Sequence, residues 1–135
     1  MDNSTEALVS RLSRYDRLVE VGIGRRTDVA AGLVAAGKDV TAVDIYDIVV
    51  PDGVTFVKDD VTKPGLGVYD LADCIYALNC PPDLQGAIAE IAQRVGADFY
   101  FTTLGTDPTV IPVKPEMLPG DTLFRALERG RTRYD

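Results

Sequence analysis

Leu18-Val19-Glu20-Val21-Gly22-Ile23-Gly24-Arg25-Arg26-Thr27-Asp28-Val29-Ala30 is an apolar run that breaks into two glycines and then takes up helical spacing. It reads as a strand, a tight turn and the start of a helix. Glycine at 22 and 24 lets the backbone pass through conformations closed to other residues. It also lets a ligand approach main-chain N–H groups at the N-terminus of the following helix. The next apolar run, Val40-Thr41-Ala42-Val43, closes on Asp44, 22 residues beyond Gly22. Nucleotide-binding strand–helix–strand units place a ribose-binding carboxylate at about this separation, roughly 20 residues on.

Composition narrows what such a unit can be. At 135 residues the chain reads as one domain, 1–135, able to bury roughly two-thirds of its unfolded surface without disulfide or metal support. Hydrophobic residues at 46% and charged residues at 26% suit a globular fold. No apolar run approaches the ~18 residues needed to span a membrane, and the segment around Asp2 and Glu6 lacks the apolar centre of a signal peptide. The expectation is a cytoplasmic protein with no membrane partner. A formal charge of −7 opposes sequence-independent nucleic-acid binding, which runs on a basic surface. Arg125, Arg129, Arg131 and Arg133 concentrate positive charge near the C-terminus, and a solvated helix face is the plainer reading of them.

There is no histidine, so Ser-His-Asp and Cys-His nucleophiles and His-containing zinc sites are excluded. Cys74 and Cys80 are the only cysteines and do not form a CxxC pair, so no metal is expected. Cys74 lies inside an apolar run and reads as a small core residue, whereas Cys80 follows that run and could face a ligand. An unreactive thiol is the plainer reading of both.

Ala7, Leu8 and Leu12, with Ser4 as N-cap, predict an amphipathic first helix that packs on a sheet. Strand one covers about Arg17 to Val21, a helix about Thr27 to Ala36, and strand two Asp39 to Ile45. Pro51-Asp52-Gly53 is a turn before a short strand Val54 to Val57, and Lys63-Pro64-Gly65-Leu66-Gly67 marks a loop. Cys74 to Leu78 is continuously apolar, as a parallel strand buried on both faces should be. A helix follows from Pro82 or Asp83 to about Val95, then a fifth strand, Ala97 to Leu104. A Gly/Pro-punctuated loop through Pro119 and a final helix over about Asp121 to Arg129 complete the reading. Strands alternating with helices imply an α/β fold: a three-layer, Rossmann-like parallel sheet of about five strands with helices on both faces.

In such sheets ligands sit beyond the carboxyl ends of the strands, where strand order reverses. The polar residues of interest converge there: Glu20 to Arg26 after strand one, Asp44 after strand two, Asp59 and Asp60 after strand three, Asn79 to Pro82 after strand four, and Thr102 to Asp107 after strand five. The third glycine of a full GxGxxG is replaced by Thr27, so the convergence carries more weight than the turn alone. The ligand expected is a small molecule containing a nucleoside.

Glu20-Val21-Gly22-Ile23-Gly24 resembles the acid-x-Gly-x-Gly motif of S-adenosylmethionine-dependent methyltransferases. Asp44 stands where those enzymes carry a ribose-binding acid, Asp60 where they carry a residue near the adenine amino group, and Asn79-Cys80-Pro81-Pro82 where amino-methyltransferases carry Asn-Pro-Pro-aromatic. Cys80 interrupts that last motif and Asp83 replaces its aromatic ring, so a proline stop that orients the next helix is the plainer reading. The resemblance implies a cofactor site of Glu20, Gly22, Gly24, Asp44, Asp60 and Asn79, with no catalytic residue assigned. Plainer roles are turn caps for Asp44 and Asp60 and an arginine partner for Glu20. Through Glu20 to Gly24, Ile75 to Leu78 with Pro81 to Gln85, and Gly96-Ala97-Asp98 leading to Leu104-Gly105, the chain resembles a small archaeal family of uncharacterised proteins with this fold. Asp supplies 16 of 21 acidic residues and Arg 10 of 14 basic ones, a balance similar to that of proteins from salt-loving archaea.

Full methyltransferases usually continue past strand five with two more strands and substrate-binding insertions. Here the expectation is a single helix and a short tail. An acceptor pocket would then come from loops 61 to 70 and 105 to 119, or from a second subunit of a homo-oligomer. The first function expected is S-adenosylmethionine binding by a methyltransferase-like protein of unassigned substrate. The alternative is a non-catalytic nucleotide or NAD-type dinucleotide module, for which Arg25 and Arg26 at a helix N-terminus would suit phosphate. A scaffold that keeps the fold and binds nothing is the third class.

Overall fold

The computed structural model describes residues 2–65 and 67–127. In chain order the elements are α1 (Asn3–Leu12), β1 (Arg17–Val21), α2 (Asp28–Ala35), β2 (Asp39–Asp44), β3 (Thr55–Lys58), β4 (Cys74–Ala77), α3 (Pro82–Val95), β5 (Asp98–Phe101), β6 (Val113–Leu118) and β7 (Asp121–Ala126). One sheet takes the order β3-β2-β1-β4-β5-β7-β6. The first five strands are parallel, while β7 runs antiparallel to both β5 and β6.

Strand parity assigns the core. Leu18, Ala42, Cys74, Tyr76 and Tyr100 face α1 and α2, where they pack with Leu8, Leu12, Val29 and Leu33. Val19, Val21, Val43, Ile75, Phe99 and Phe101 face the other way, against Ile88, Ile91 and Ala92 of α3. Both faces of the inner strands are therefore apolar. Each fully buried Leu, Ile or Phe contributes about 1.5–3 kcal/mol of transfer free energy. Asp2 rather than Ser4 caps α1, its carboxylate accepting from Thr5 N–H at 2.8 Å.

The C-terminal part corrects the sequence reading. The sheet has seven strands and is mixed, and the two strands expected to be missing after β5 are present. Residues 121–126 of the expected last helix are β7, and the end of that helix, with Arg129, Arg131 and Arg133, lies outside the described residues. The cause is two-sided burial: Leu123 joins the core on the α1 side, whereas Phe124 and Ala126 pack on the α3 side. Apolar residues on both faces of a short strand imitate helical spacing. Part of the expected loop 105–119 is likewise β6, an edge strand that tolerates Pro115. Pro119-Gly120 joins β6 to β7 with Gly120 at φ 80°, as the third position of a type II turn requires.

Among the described residues, segments 59–73 and 102–112 cross over without helices. Asp59 holds the first, accepting from Gly65 N–H at 2.8 Å and from the Tyr69 hydroxyl at 2.8 Å. Gln85, buried in α3, holds the second by donating to Pro108 C=O at 3.0 Å and accepting from Val110 N–H at 2.7 Å.

A polar network ties α1 to the far half of the sheet. Arg11 donates to Glu116 on β6 through Nε at 2.7 Å and Nη2 at 3.2 Å, and to the Tyr100 hydroxyl on β5 at 2.6 Å. Tyr15 meets Tyr100 hydroxyl to hydroxyl at 2.8 Å and donates to Asp98. The guanidinium holds the Glu116 carboxyl below its ordinary range. Arg11→Ala should therefore lower stability by roughly 2 kcal/mol, because it leaves Glu116 and Tyr100 without their shared donor. Urea denaturation of variant and parent checks this, and a loss under about 0.5 kcal/mol would show that the network does not hold α1 in place.

Candidate functional site

The chain leaves β1 toward β2 on one side, and β4 lies on the other, so strand order reverses between β1 and β4. At such a point the outgoing connections diverge and leave a crevice at the carboxyl ends of the strands. The turn after β1 opens onto it. Gly22 and Gly24 have φ of 71° and 53°. A Cβ built on Gly22 would meet nothing within 4 Å, so open space lies in front of the turn.

The turn is bonded to the end of β2. Gly22 N–H donates to Val43 C=O at 2.7 Å, and Gly24 N–H donates to Asp44 Oδ2 at 3.0 Å. Asp44 Oδ1 accepts from Tyr46 N–H at 3.1 Å. The Asp44 carboxylate therefore does cap a turn, as the plainer reading had it. A carboxylate offers about four acceptor positions, so two remain for a ligand. Ile45 and Tyr46, immediately after it, are exposed.

Glu20 lies beneath this turn and is 1% exposed. It is the register partner of Tyr76 on β4, whose hydroxyl donates to Oε1 at 2.7 Å. Oε2 is buried with no hydrogen-bond partner among the described residues. Burial pushes the carboxyl up to about 8, against the lowering influence of the Tyr76 bond and the Arg26 charge. The arginine partner expected for Glu20 is not formed: Arg26 pairs instead with Asp28, Nε to Oδ1 at 3.2 Å. Tyr76 as the partner of Glu20 escaped the sequence reading. Because the residues are 56 positions apart, only the pairing of β1 with β4 could have indicated it.

The other two predicted residues stand on the flanks. Asp60 is exposed and accepts from Thr62 N–H at 2.9 Å and Thr62 Oγ1 at 2.7 Å, bonds that hold its carboxyl below the ordinary range. It closes a local turn after β3, which is the plainer role foreseen for it. Asn79, at the end of β4, takes a left-handed conformation with φ 53°. Thr102 secures it: Oγ1 accepts from Asn79 N–H at 2.8 Å, and its carbonyl accepts from Cys80 N–H at 2.8 Å. The structure thus brings Glu20, Gly22, Gly24 and Asp44 into one cluster. No hydrogen bond joins Asp60 or Asn79 to that cluster among the described residues.

Nucleophilic chemistry finds little support. Cys80 is 1% exposed rather than facing a ligand, and burial pushes its thiol up to about 12; Cys74 is buried and its thiol is raised as well. Neither is a thiolate at neutral pH. Among the described residues no group of three or more His, Cys, Asp or Glu side chains is placed to hold a metal. A cavity of about 300 Å³ lies away from the crevice, between α3, the start of β5 and the end of β7, lined by Ala89, Phe99, Ile111 and Leu127 among others. The glycine turn, by contrast, faces open space at Gly22.

Comparison with solved structures places the fold. An RNA methyltransferase from Salinibacter ruber, in complex with S-adenosyl-L-homocysteine, superimposes with a TM-score of 0.66 at 16% identity, covering 93% of this chain and 90% of that one. Magnesium protoporphyrin IX methyltransferase from Synechocystis PCC 6803, with bound SAM, gives 0.66 at 14% identity, covering 93% and 78%. At such identities the likeness establishes a Rossmann-like methyltransferase fold. Among sequences, a UPF0146 protein of Halobacterium salinarum is 55% identical over 102 residues, 76% of this chain and 79% of that protein. A UPF0146 protein of Archaeoglobus fulgidus is 49% identical over 91 residues, 67% and 70%. Residues 3–125 match the profile of the same group, and the chain belongs to the uncharacterised protein family UPF0146.

Proposed function

We propose that this protein binds S-adenosylmethionine at the turn after β1. The observation that carries the reading is the cluster itself. An open glycine turn is clamped to Asp44 by a 3.0 Å bond, above a buried acid with one unpartnered oxygen. Gly22 and Gly24 let the methionine part lie against the backbone, and the remaining acceptor positions of Asp44 take the ribose hydroxyls. Asp60 and Asn79 flank the adenine and methyl-donor ends from β3 and β4. The solved methyltransferases with the same fold that hold S-adenosylhomocysteine or S-adenosylmethionine support this choice of ligand.

Glu20 supports it on energetic grounds. A carboxyl raised by burial costs the fold stability at neutral pH, and perturbed acids of this kind cluster at functional sites. A dinucleotide is the weaker reading: Arg26 at the helix start is already bonded to Asp28. With no histidine and no thiolate, methyl transfer in this site would run on alignment of donor and acceptor. No helix of the described residues is long and apolar enough to cross a membrane.

Thermal shift and calorimetry with S-adenosylmethionine, S-adenosylhomocysteine, NAD and ATP test the reading. At 100 times its dissociation constant, S-adenosylmethionine should add about 2.7 kcal/mol of stability. Asp44→Asn, which keeps an acceptor for Gly24 N–H, should fold normally and bind about tenfold more weakly, through loss of a charged acceptor. Silence with both adenosyl ligands sinks the proposal, and a response to NAD alone reverses the choice of ligand.

A second expectation concerns stability. The Glu20 carboxyl has a folded value of about 8 against an ordinary 4.5, so folding is favoured by its protonated form. Its contribution is therefore fully present below pH 4.5, falls through the interval and is lost above pH 8. Glu20→Gln should match the parent at pH 4.5 and exceed it by about 4 kcal/mol at pH 8.5. Denaturant midpoints at the two pH values check this; equal midpoints at pH 8.5 would mean that water already solvates Glu20.

A further inference from the structure

Among the described residues Glu20 is the one acid in the buried core, and the groups around it do not settle its charge. From β4, Tyr76 donates one hydrogen bond, to Oε1. From the turn and the head of α2, Arg26 and Asp28 act on it with opposite signs and are bonded to each other at 3.2 Å. From α1, Thr5 contributes only a hydroxyl bond to Asp28, at 2.6 Å. The nearby fixed charges therefore largely cancel. Oε2 is left without a donor two residues below Gly22, under the turn that faces open space. Burial holds Glu20 toward its neutral form, and a charge seated on that turn adds to that tendency or opposes it.

We propose that Glu20 senses the charge of the bound ligand and so separates methyl donor from spent product: the sulfonium of the donor drives the Glu20 proton to solvent and is held by the carboxylate that remains. This rests on the reading given under Proposed function. The product has lost the sulfonium charge, so Glu20 takes back one proton from solvent and the extra attraction disappears. An anionic dinucleotide acts in the opposite sense, keeping the proton in place. The sign for each ligand follows. Donor affinity rises with pH until Glu20 is ionised without ligand, near pH 8, and then levels off. Product affinity changes less, and dinucleotide affinity falls over the same interval.

Titration calorimetry of the full chain with S-adenosylmethionine and S-adenosylhomocysteine at pH 6.5, 7.5 and 8.5, in two buffers of different ionisation heat, reads both affinity and protons. The expected result is proton release on donor binding at pH 6.5 and 7.5, with donor affinity rising about tenfold to pH 8.5 and product affinity about threefold or less. Glu20→Gln should bind the donor with no proton release and no rise. Tyr76→Phe, which removes the donor to Oε1, should move the rise to higher pH and carries the test if the first variant does not fold. Parallel pH curves for the two ligands, or a rise that persists in Glu20→Gln, overturn the inference and leave the binding site standing. Failure of both ligands to bind at any pH overturns the site and the inference together.

Discussion

The hydrogen bond from Gly24 N–H to the Asp44 carboxylate, with its neighbour from Gly22 N–H to Val43 C=O, is where fold and site depend on the same atoms. A parallel pair such as β1 and β2 must be joined by a crossover, and the chain has to reverse immediately after Val21 to start α2. Glycine supplies the reversal, but glycine also carries the largest entropic cost of being fixed. The two bonds to the end of β2 offset that cost and set the turn at one height above the sheet. Gly32 in α2 then allows close approach of Val9 in α1, since a Cβ there would stand 2.6 Å from Val9 Cγ2. The clamp at the top and this contact at the side fix the helix pair over the face that buries Glu20.

The parallel half of the molecule was legible because its physics is local. Cys74 to Ala77 is apolar throughout and Leu18 to Val21 is buried throughout, since parallel strands in the middle of a sheet are covered on both sides, and each run is followed by glycine or proline. The hairpin of β6 and β7 was not legible. Its apolar residues serve two cores, Leu123 on one side and Phe124 with Ala126 on the other, and without the sheet in view that pattern fits a helix equally well. Prolines at 112, 115 and 119 strengthened the loop reading, although Pro115 costs little on an edge strand. With the hairpin in place the chain follows the seven-stranded plan of the methyltransferases it resembles, rather than a shortened one.

The same division holds at the site. Glu20, Gly22, Gly24 and Asp44 form one cluster because a strand end, a turn and the next strand end are neighbours in any such unit. What spacing could not give is the state of those groups. The neutral tendency of Glu20 comes from total burial and is opposed by the hydrogen bond from Tyr76, which belongs to a strand 56 residues away. The left-handed backbone of Asn79 is held by Thr102 from β5's far end, again a contact between distant segments. Short-range chemistry is written in the sequence; its tuning is written in the sheet order.

Glu20 also shows why a small domain would keep a residue that weakens it. Total stabilities of domains this size are about 5–15 kcal/mol, so a buried acid costing a few kcal/mol is a large fraction of what is available. The cost is tolerable because the strain is confined: Tyr76 satisfies one oxygen, and the Arg11 network anchors α1 to β5 and β6 independently of the turn. A destabilised group held inside a well-supported frame can change its proton without unfolding its surroundings. In the proposed reading, that combination, a rigid clamp at Asp44 and a chargeable acid beneath it, separates the task of positioning a ligand from the task of reading its charge.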